Sequence, residues 1–142
     1  MVGPDLTPLA GQLDDVVVGL RQLTGTRAEL SLTAAATLAT LRRGGPARVT
    51  ELAVAEGVSQ PSMTALVARL SGQGLVRRDG DPSDGRAVVV SLTDDGADLL
   101  DRRRTERAAR LAGPLSSLDD DDVARITAAL PALARLAGAL QR

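Results

Sequence analysis

Not one of the 142 residues is aromatic, and that absence narrows the possible folds before any pattern is read. Phe, Tyr and Trp normally bring the largest buried areas to a core. Here the interior must be assembled from Leu, Val, Ala, Ile and Met, each of which buries less. A stable chain of this kind needs many helix–helix contacts, and abundant Ala and Leu favour helices by propensity. With 44% hydrophobic and 25% charged residues, the balance is ordinary for a globular chain, and the length suits one domain over 1–142.

Two further absences exclude whole classes of chemistry. Without Cys there is no disulfide, thiolate catalysis or cysteine redox sensing. Without His the commonest metal ligand and the commonest general base are missing. No cofactor is implied, and a metal site would have to be all-oxygen. Catalysis would need paired carboxylates or a Ser with a base. The run Asp119–Asp122 reads as a helix N-terminus, and no base is left for any Ser, so an enzyme is not expected. Asp5, Asp14 and Asp15 interrupt the N-terminal apolar runs, which argues against a signal peptide. No stretch is apolar enough to span a bilayer, so no membrane partner is expected and the cytoplasm is the default location.

Leu6, Leu9, Leu13, Val16, Leu20 and Leu23 recur at three- and four-residue intervals, the stripe of an amphipathic helix that Gly25 would end. Thr33 is the expected N-cap of a second helix, stopped at Gly44-Gly45-Pro46, and Thr50 of a third. Ser59 caps a fourth, with Pro61 in its first turn where a missing N–H is harmless. Leu75–Arg78 and Ala87–Leu92 read as strands around a turn-rich loop, Asp79–Arg86. Thr93 caps a long helix broken at Gly113-Pro114. Ser117 or Asp119 opens the last one, whose Val123, Ile126, Leu130, Leu133, Ala137 and Leu140 form a near-heptad seam. Pro131 should kink or split that helix.

The block Val49–Leu70 has the residue types that two short helices joined by a tight turn require. Ala53 is small where the second helix crosses, Gly57 can take a left-handed turn conformation, and Leu52, Val58, Met63 and Leu66 fill the shared core. Ser59, Gln60, Ser62 and Thr64 then lie at the start of the second helix, where short polar side chains can reach base edges in a major groove. Alone, the block could be a helical hairpin that binds nothing. A hairpin directly after it, with Arg86 near its loop, reads as a wing whose Arg can enter a narrow minor groove. Asp81 and Asp84 would pair with nearby Arg and stiffen the loop. The net charge is only −1, but Arg42 to Val90 holds seven Arg against five acids, so the middle of the chain is its basic part.

From Ser59 onward the sequence closely resembles the MarR family of transcriptional regulators. The resemblance rests on Thr64, Arg69-Leu70, Gly74-Leu75-Val76 with Arg78, Asp81-Pro82 with Asp84 and Arg86, and Leu92-Thr93 with Gly96. It implies a mainly α winged helix-turn-helix fold with a small β-hairpin wing. A DNA-binding lobe would span 33–92, and dimerisation helices would span 6–24 and 94–141. It implies a cytoplasmic homodimer, acting on double-stranded DNA as a repressor at a pseudo-palindromic operator. The stripes Leu6–Leu23 and Val123–Leu140 suit dimerisation, though both could be ordinary intramolecular core. Ser59, Gln60, Ser62 and Thr64 would contact bases or phosphates, Arg86 would enter the minor groove and Asp84 would orient the wing. Arg69 would either touch phosphate or brace the wing acids. A small-molecule effector could release the protein, with Arg27 or Arg42 pairing a carboxylate. Lacking Cys, His and aromatic residues, the chain departs from peroxide-sensing, zinc-sensing and ring-stacking relatives. The alternative reading is a winged helix that binds another protein and no DNA.

Overall fold

A computed structural model describes residues 4–24 and 30–140. The elements are α1 (Thr7–Thr24), α2 (Leu32–Gly44), β1 (Ala47–Arg48), α3 (Val49–Ala55), α4 (Gln60–Gly72), β2 (Val76–Asp81), β3 (Asp84–Leu92), α5 (Asp94–Ser116) and α6 (Asp120–Ala139). Contacts divide the chain into two compact units, one Thr26–Thr105 and the other Met1–Gly25 with Glu106–Arg142. Among the described residues no helix is long and apolar enough to cross a membrane.

The unit Thr26–Thr105 holds an aliphatic core. Leu38, Leu41, Leu52, Met63, Leu70, Val67 and Val90 are its largest fully buried side chains, drawn from α2, α3, α4 and β3. The one buried polar side chain among the described residues, Thr37, donates to the Thr33 carbonyl at 2.8 Å, so no orphan is left in the apolar interior. A three-stranded antiparallel sheet, ordered β1-β3-β2, closes one side. β1 has only two residues, too few for an alternating pattern, and the sequence reading passes over it.

Several boundaries move from their expected places. Ser31, not Thr33, caps α2, its Oγ accepting from the Ala34 amide at 3.1 Å. Arg48, not Thr50, precedes α3, and its amide donates to Glu51 at 2.7 Å. Ser59 does cap α4, and Thr93 caps the first turn of α5 through the Gly96 amide at 3.1 Å. Asp119 opens α6. The loop expected over Asp79–Arg86 is mostly strand: the ladder continues to Asp81↔Asp84, with a register shift at Gly80/Asp81, and only Pro82 and Ser83 turn.

Neither proline ends its helix. α5 passes through Pro114 to Ser116, and two carbonyls of its last turn find side-chain donors there: Ser116 Oγ donates to Gly113 O and Ser117 Oγ to Pro114 O, both at 2.7 Å. α6 runs unbroken through Pro131, so the expected split does not occur. One missing N–H removes one rung of the ladder while its neighbours persist.

Gly96 occupies the tightest approach in this unit. A Cβ there would lie 2.2 Å from the Leu75 carbonyl oxygen and 2.7 Å from Leu92 Cδ1. The Leu75 carbonyl also accepts from the Thr93 amide at 3.2 Å, and Thr93 Oγ1 donates to Gly74 O at 2.6 Å. The Leu-Thr-x-x-Gly pattern thus pins the start of α5 to the segment that enters the wing.

The other unit contains α1, the C-terminal half of α5, and α6. Its apolar stripes are open: Leu6, Leu9, Val16, Val17, Leu115, Leu118, Ile126, Leu130 and Leu133 are all exposed, and α6 buries no residue. Gly25 lies outside the described residues.

Candidate nucleic-acid interface

The helix-turn-helix is built by the local rules that its sequence suggests. Glu56, Gly57 and Val58 donate their amides to Leu52, Val54 and Ala53 carbonyls at 3.0, 3.2 and 3.0 Å. Gly57 takes φ +63°, a left-handed value that a side chain would strain. Ala53 is buried where α4 packs. Met63, Leu66, Val67 and Leu70 face the core and fix the rotation of α4 about its axis, so Ser59, Gln60, Ser62 and Thr64 are left exposed.

These four polar groups are not equivalent. Ser59 Oγ accepts from the Ser62 amide at 3.3 Å and donates to Ser62 Oγ at 2.8 Å, which commits it to capping. Thr64 Oγ1 donates to the Gln60 carbonyl at 2.9 Å, leaving it an acceptor and a methyl group. The Gln60 amide has no partner among the described residues and keeps its full donor–acceptor capacity.

The wing is held by a clasp in which Asp81 pairs with an Arg as expected, and the partner, which the sequence does not single out, is Arg48. Arg48 Nε and Nη2 lie 2.7 and 2.6 Å from Asp81 Oδ2, and Asp81 Oδ1 accepts from the Ser83 amide and hydroxyl at 2.8 and 2.7 Å. The Ser83 hydroxyl and amide, with the Arg48 guanidinium adding to them, hold the Asp81 carboxyl at about 2 against an ordinary 3.8. Asp84 Oδ1 instead accepts from the Arg86 amide at 3.1 Å, shaping the start of β3. Arg77 pairs with Asp79 at 2.8 Å, both exposed, and the carboxylate raises the Arg77 pKa. Arg86 and Arg78 keep their guanidinium groups unpaired among the described residues.

Between α4 and the wing lies a groove of about 330 Å³. Gln60 and Thr64 line it from α4, Arg78 and Arg86 from the wing, and Arg48 and Thr50 from the third side. The groove therefore joins Gln60, Thr64 and Arg86 on one surface. Ser62 and Arg69 lie instead along a second depression with Ser31 and Thr33. Arg69 is exposed and forms no ion pair among the described residues; the wing acids are already bonded to Arg48, Ser83 and the Arg86 amide. Arg42 lies 2.7 Å from Asp101, so its charge is matched within the fold. Arg27 falls outside the described residues. No signal in the sequence could have singled out Arg48, whose partner lies far along the chain.

Comparison with known proteins agrees with this geometry. Residues 30–88 match the MarR family model. An uncharacterised HTH-type transcriptional regulator of Mycobacterium leprae is 37% identical over 116 residues, which cover 80% of this chain and 81% of that protein. The chain belongs to the MarR family. The HTH-type transcriptional repressor NicR of Pseudomonas putida is 45% identical over 65 residues, 46% of this chain and 41% of NicR. The transcriptional regulator Tm0710 of Thermotoga maritima shares the fold, with a TM-score of 0.73 at 24% identity over 96% of each chain. This MarR-family regulator thus has a winged helix-turn-helix: α3 and α4 form the helix pair, and β2–β3 form the wing.

Proposed function

We propose that this MarR-family protein is a sequence-specific repressor that binds double-stranded DNA as a homodimer. The observation that carries the reading is the shared surface of Gln60, Thr64 and Arg86, with the polar first turn of α4 exposed beside an unpaired wing arginine. In this reading α4 enters a major groove and the wing lies over the adjoining minor groove. Gln60, Ser62 and Thr64 face base edges or phosphates while Ser59 caps the helix, and Arg86 enters the minor groove. Arg69, unpaired among the described residues and away from the wing acids, serves as a phosphate contact. Asp81 and Asp84 hold the wing in shape.

The exposed stripes of α1 and α6 support the dimer. A helix whose apolar seam is uncovered along its length needs a partner surface. Two-fold symmetry would then set two copies of α4 about 34 Å apart on a pseudo-palindrome. A small-molecule effector would act by biasing that spacing between two states.

The test is operator binding by Arg86→Ala at fixed salt, alongside sedimentation velocity of both proteins. The expected result is a dimer in each case, with affinity lowered about tenfold and preference for A·T-rich flanks reduced. Unchanged affinity would remove the wing from the interface. Binding that ignores salt altogether would instead favour a protein-binding module, because phosphate contacts make affinity fall steeply with salt.

A further inference from the structure

The groove between α4 and the wing has a consequence that follows from the shape of a duplex. Major and minor grooves alternate, and one sugar–phosphate strand always separates them. If α4 occupies a major groove and Arg86 the neighbouring minor groove, a backbone strand must cross the space between them. That space is the 330 Å³ groove.

Its lining decides which residue meets the strand. Side chains alternate along a strand, so Val76 and Arg78 of β2 share a face with Val88 and Val90 of β3, through the pairs Val76↔Leu92, Arg78↔Val90 and Gly80↔Val88. Val76 and Val90 are buried on that face, which sets Arg78 and Arg86 on the side of the wing turned to α4. Three guanidinium groups line the groove. Arg48 is neutralised by Asp81 at 2.6 Å, and Arg86 is assigned to the minor groove. Asp84 also lines the groove, with one carboxylate oxygen turned to the Arg86 amide at 3.1 Å. Arg78 is the positive charge left without a partner, and the Thr50 hydroxyl lies across the groove, likewise without a hydrogen bond among the described residues.

We propose that the groove between α4 and the wing seats the DNA backbone strand, and that Arg78 with Thr50 grips one phosphodiester there. The inference rests on the reading of the chain as a duplex-binding regulator. It adds a register-setting contact that discriminates no base but fixes how far α4 and Arg86 reach into their grooves.

The experiment measures binding of the full-length protein to a mixed-sequence duplex, and to a duplex from its own upstream region, over a range of KCl concentrations. Arg78→Ala is compared with wild type, with a thermal melt of each to verify folding. Each phosphate neutralised adds about 0.9 to the magnitude of the log–log salt slope. One phosphate per subunit therefore predicts that Arg78→Ala lowers that magnitude by about 2 for a dimer, and weakens both duplexes by the same factor. A neutral methylphosphonate walked along the duplex should reveal one linkage per half-site that weakens wild type but not Arg78→Ala. Arg78→Lys should recover the slope. A folded Arg78→Ala with the wild-type slope, or a loss confined to one sequence, would overturn the backbone seat. Arg86→Ala, read in the same titration, reports separately on the wing. If it loses A·T preference while Arg78→Ala changes nothing, the duplex reading stands and the seat alone fails.

Discussion

The contact at Gly96 can be tested by adding a single methyl group. In Gly96→Ala the new Cβ would stand 2.2 Å from the Leu75 carbonyl oxygen and 3.2 Å from the Leu75 carbonyl carbon. Ordinary contact at such atoms begins near 3.4 Å, so α5 or the 74–75 segment must move by about 1 Å. Both partners are backbone, and neither can swing aside as a flexible side chain would. Overpacking of this kind costs about 1–3 kcal/mol. The movement also strains the Thr93 amide bond to the same Leu75 oxygen, worth about 1 kcal/mol. Against this, Ala gains about 1 kcal/mol of helix propensity over Gly. The net expectation is a loss of about 2 kcal/mol. For a chain of this size that corresponds to a fall in Tm of roughly 4–8 °C. Calorimetry at one fixed protein concentration is the assay, since association shifts Tm by mass action. Gly72→Ala is the control: it lies at the end of α4 with open space around its added Cβ, and it should be neutral or stabilising. If Gly96→Ala melts with Gly72→Ala, the Leu-Thr-x-x-Gly pattern is not a packing requirement and the reasoning fails.

Two further substitutions separate structural from recognition roles. Ser59→Ala removes the α4 cap and should cost about 1 kcal/mol, whereas Ser59→Asp, an equally good cap, should keep stability within about 0.5 kcal/mol yet weaken duplex binding by adding negative charge at the interface; urea denaturation and fluorescence anisotropy read the two effects, and an Asp variant that binds like wild type would place Ser59 away from phosphate. Asp81 has its folded pKa lowered to about 2 from 3.8, so its stabilising contribution is complete above pH 3.8 and fades as pH falls toward 2. The urea midpoint of wild type should exceed that of Asp81→Asn at neutral pH, and the gap should close across that acid window; a gap that widens there would show that the Arg48 clasp is not electrostatic.

How much of this was legible beforehand depended on the range of the interaction involved. The turn at Gly57 and the caps at Ser59 and Thr93 are decided within four residues, and the sequence pattern placed them; for the last helix it offered Ser117 or Asp119, and Asp119 is the cap. The exposed first turn of α4 followed from the spacing of Met63, Leu66, Val67 and Leu70. Misplaced starts had competing candidates nearby: Ser31 and Thr33 are both capping residues, and Ser31 is the one whose Oγ meets the Ala34 amide. Pro114 and Pro131 looked like breaks because a missing N–H is a local defect, but the surrounding helix carries over each. The wing was read as a hairpin with too long a tip, because Asp79–Arg86 is rich in turn residues. Cross-strand pairing with Val88 and Val89 extends the ladder regardless of that composition.

Periodicity and side-chain size thus determined the helices, the turn between α3 and α4, and the polar edge that α4 presents, since these depend on neighbours along the chain. The state of each arginine was decided only in three dimensions. Arg42, Arg48, Arg69, Arg78 and Arg86 are one residue type in sequence. Folding brings Asp101 to the first and Asp81 to the second, and leaves the other three uncompensated among the described residues. A charge is free or matched according to what approaches it within a few ångströms, and the Asp81 that silences Arg48 comes from 33 residues away.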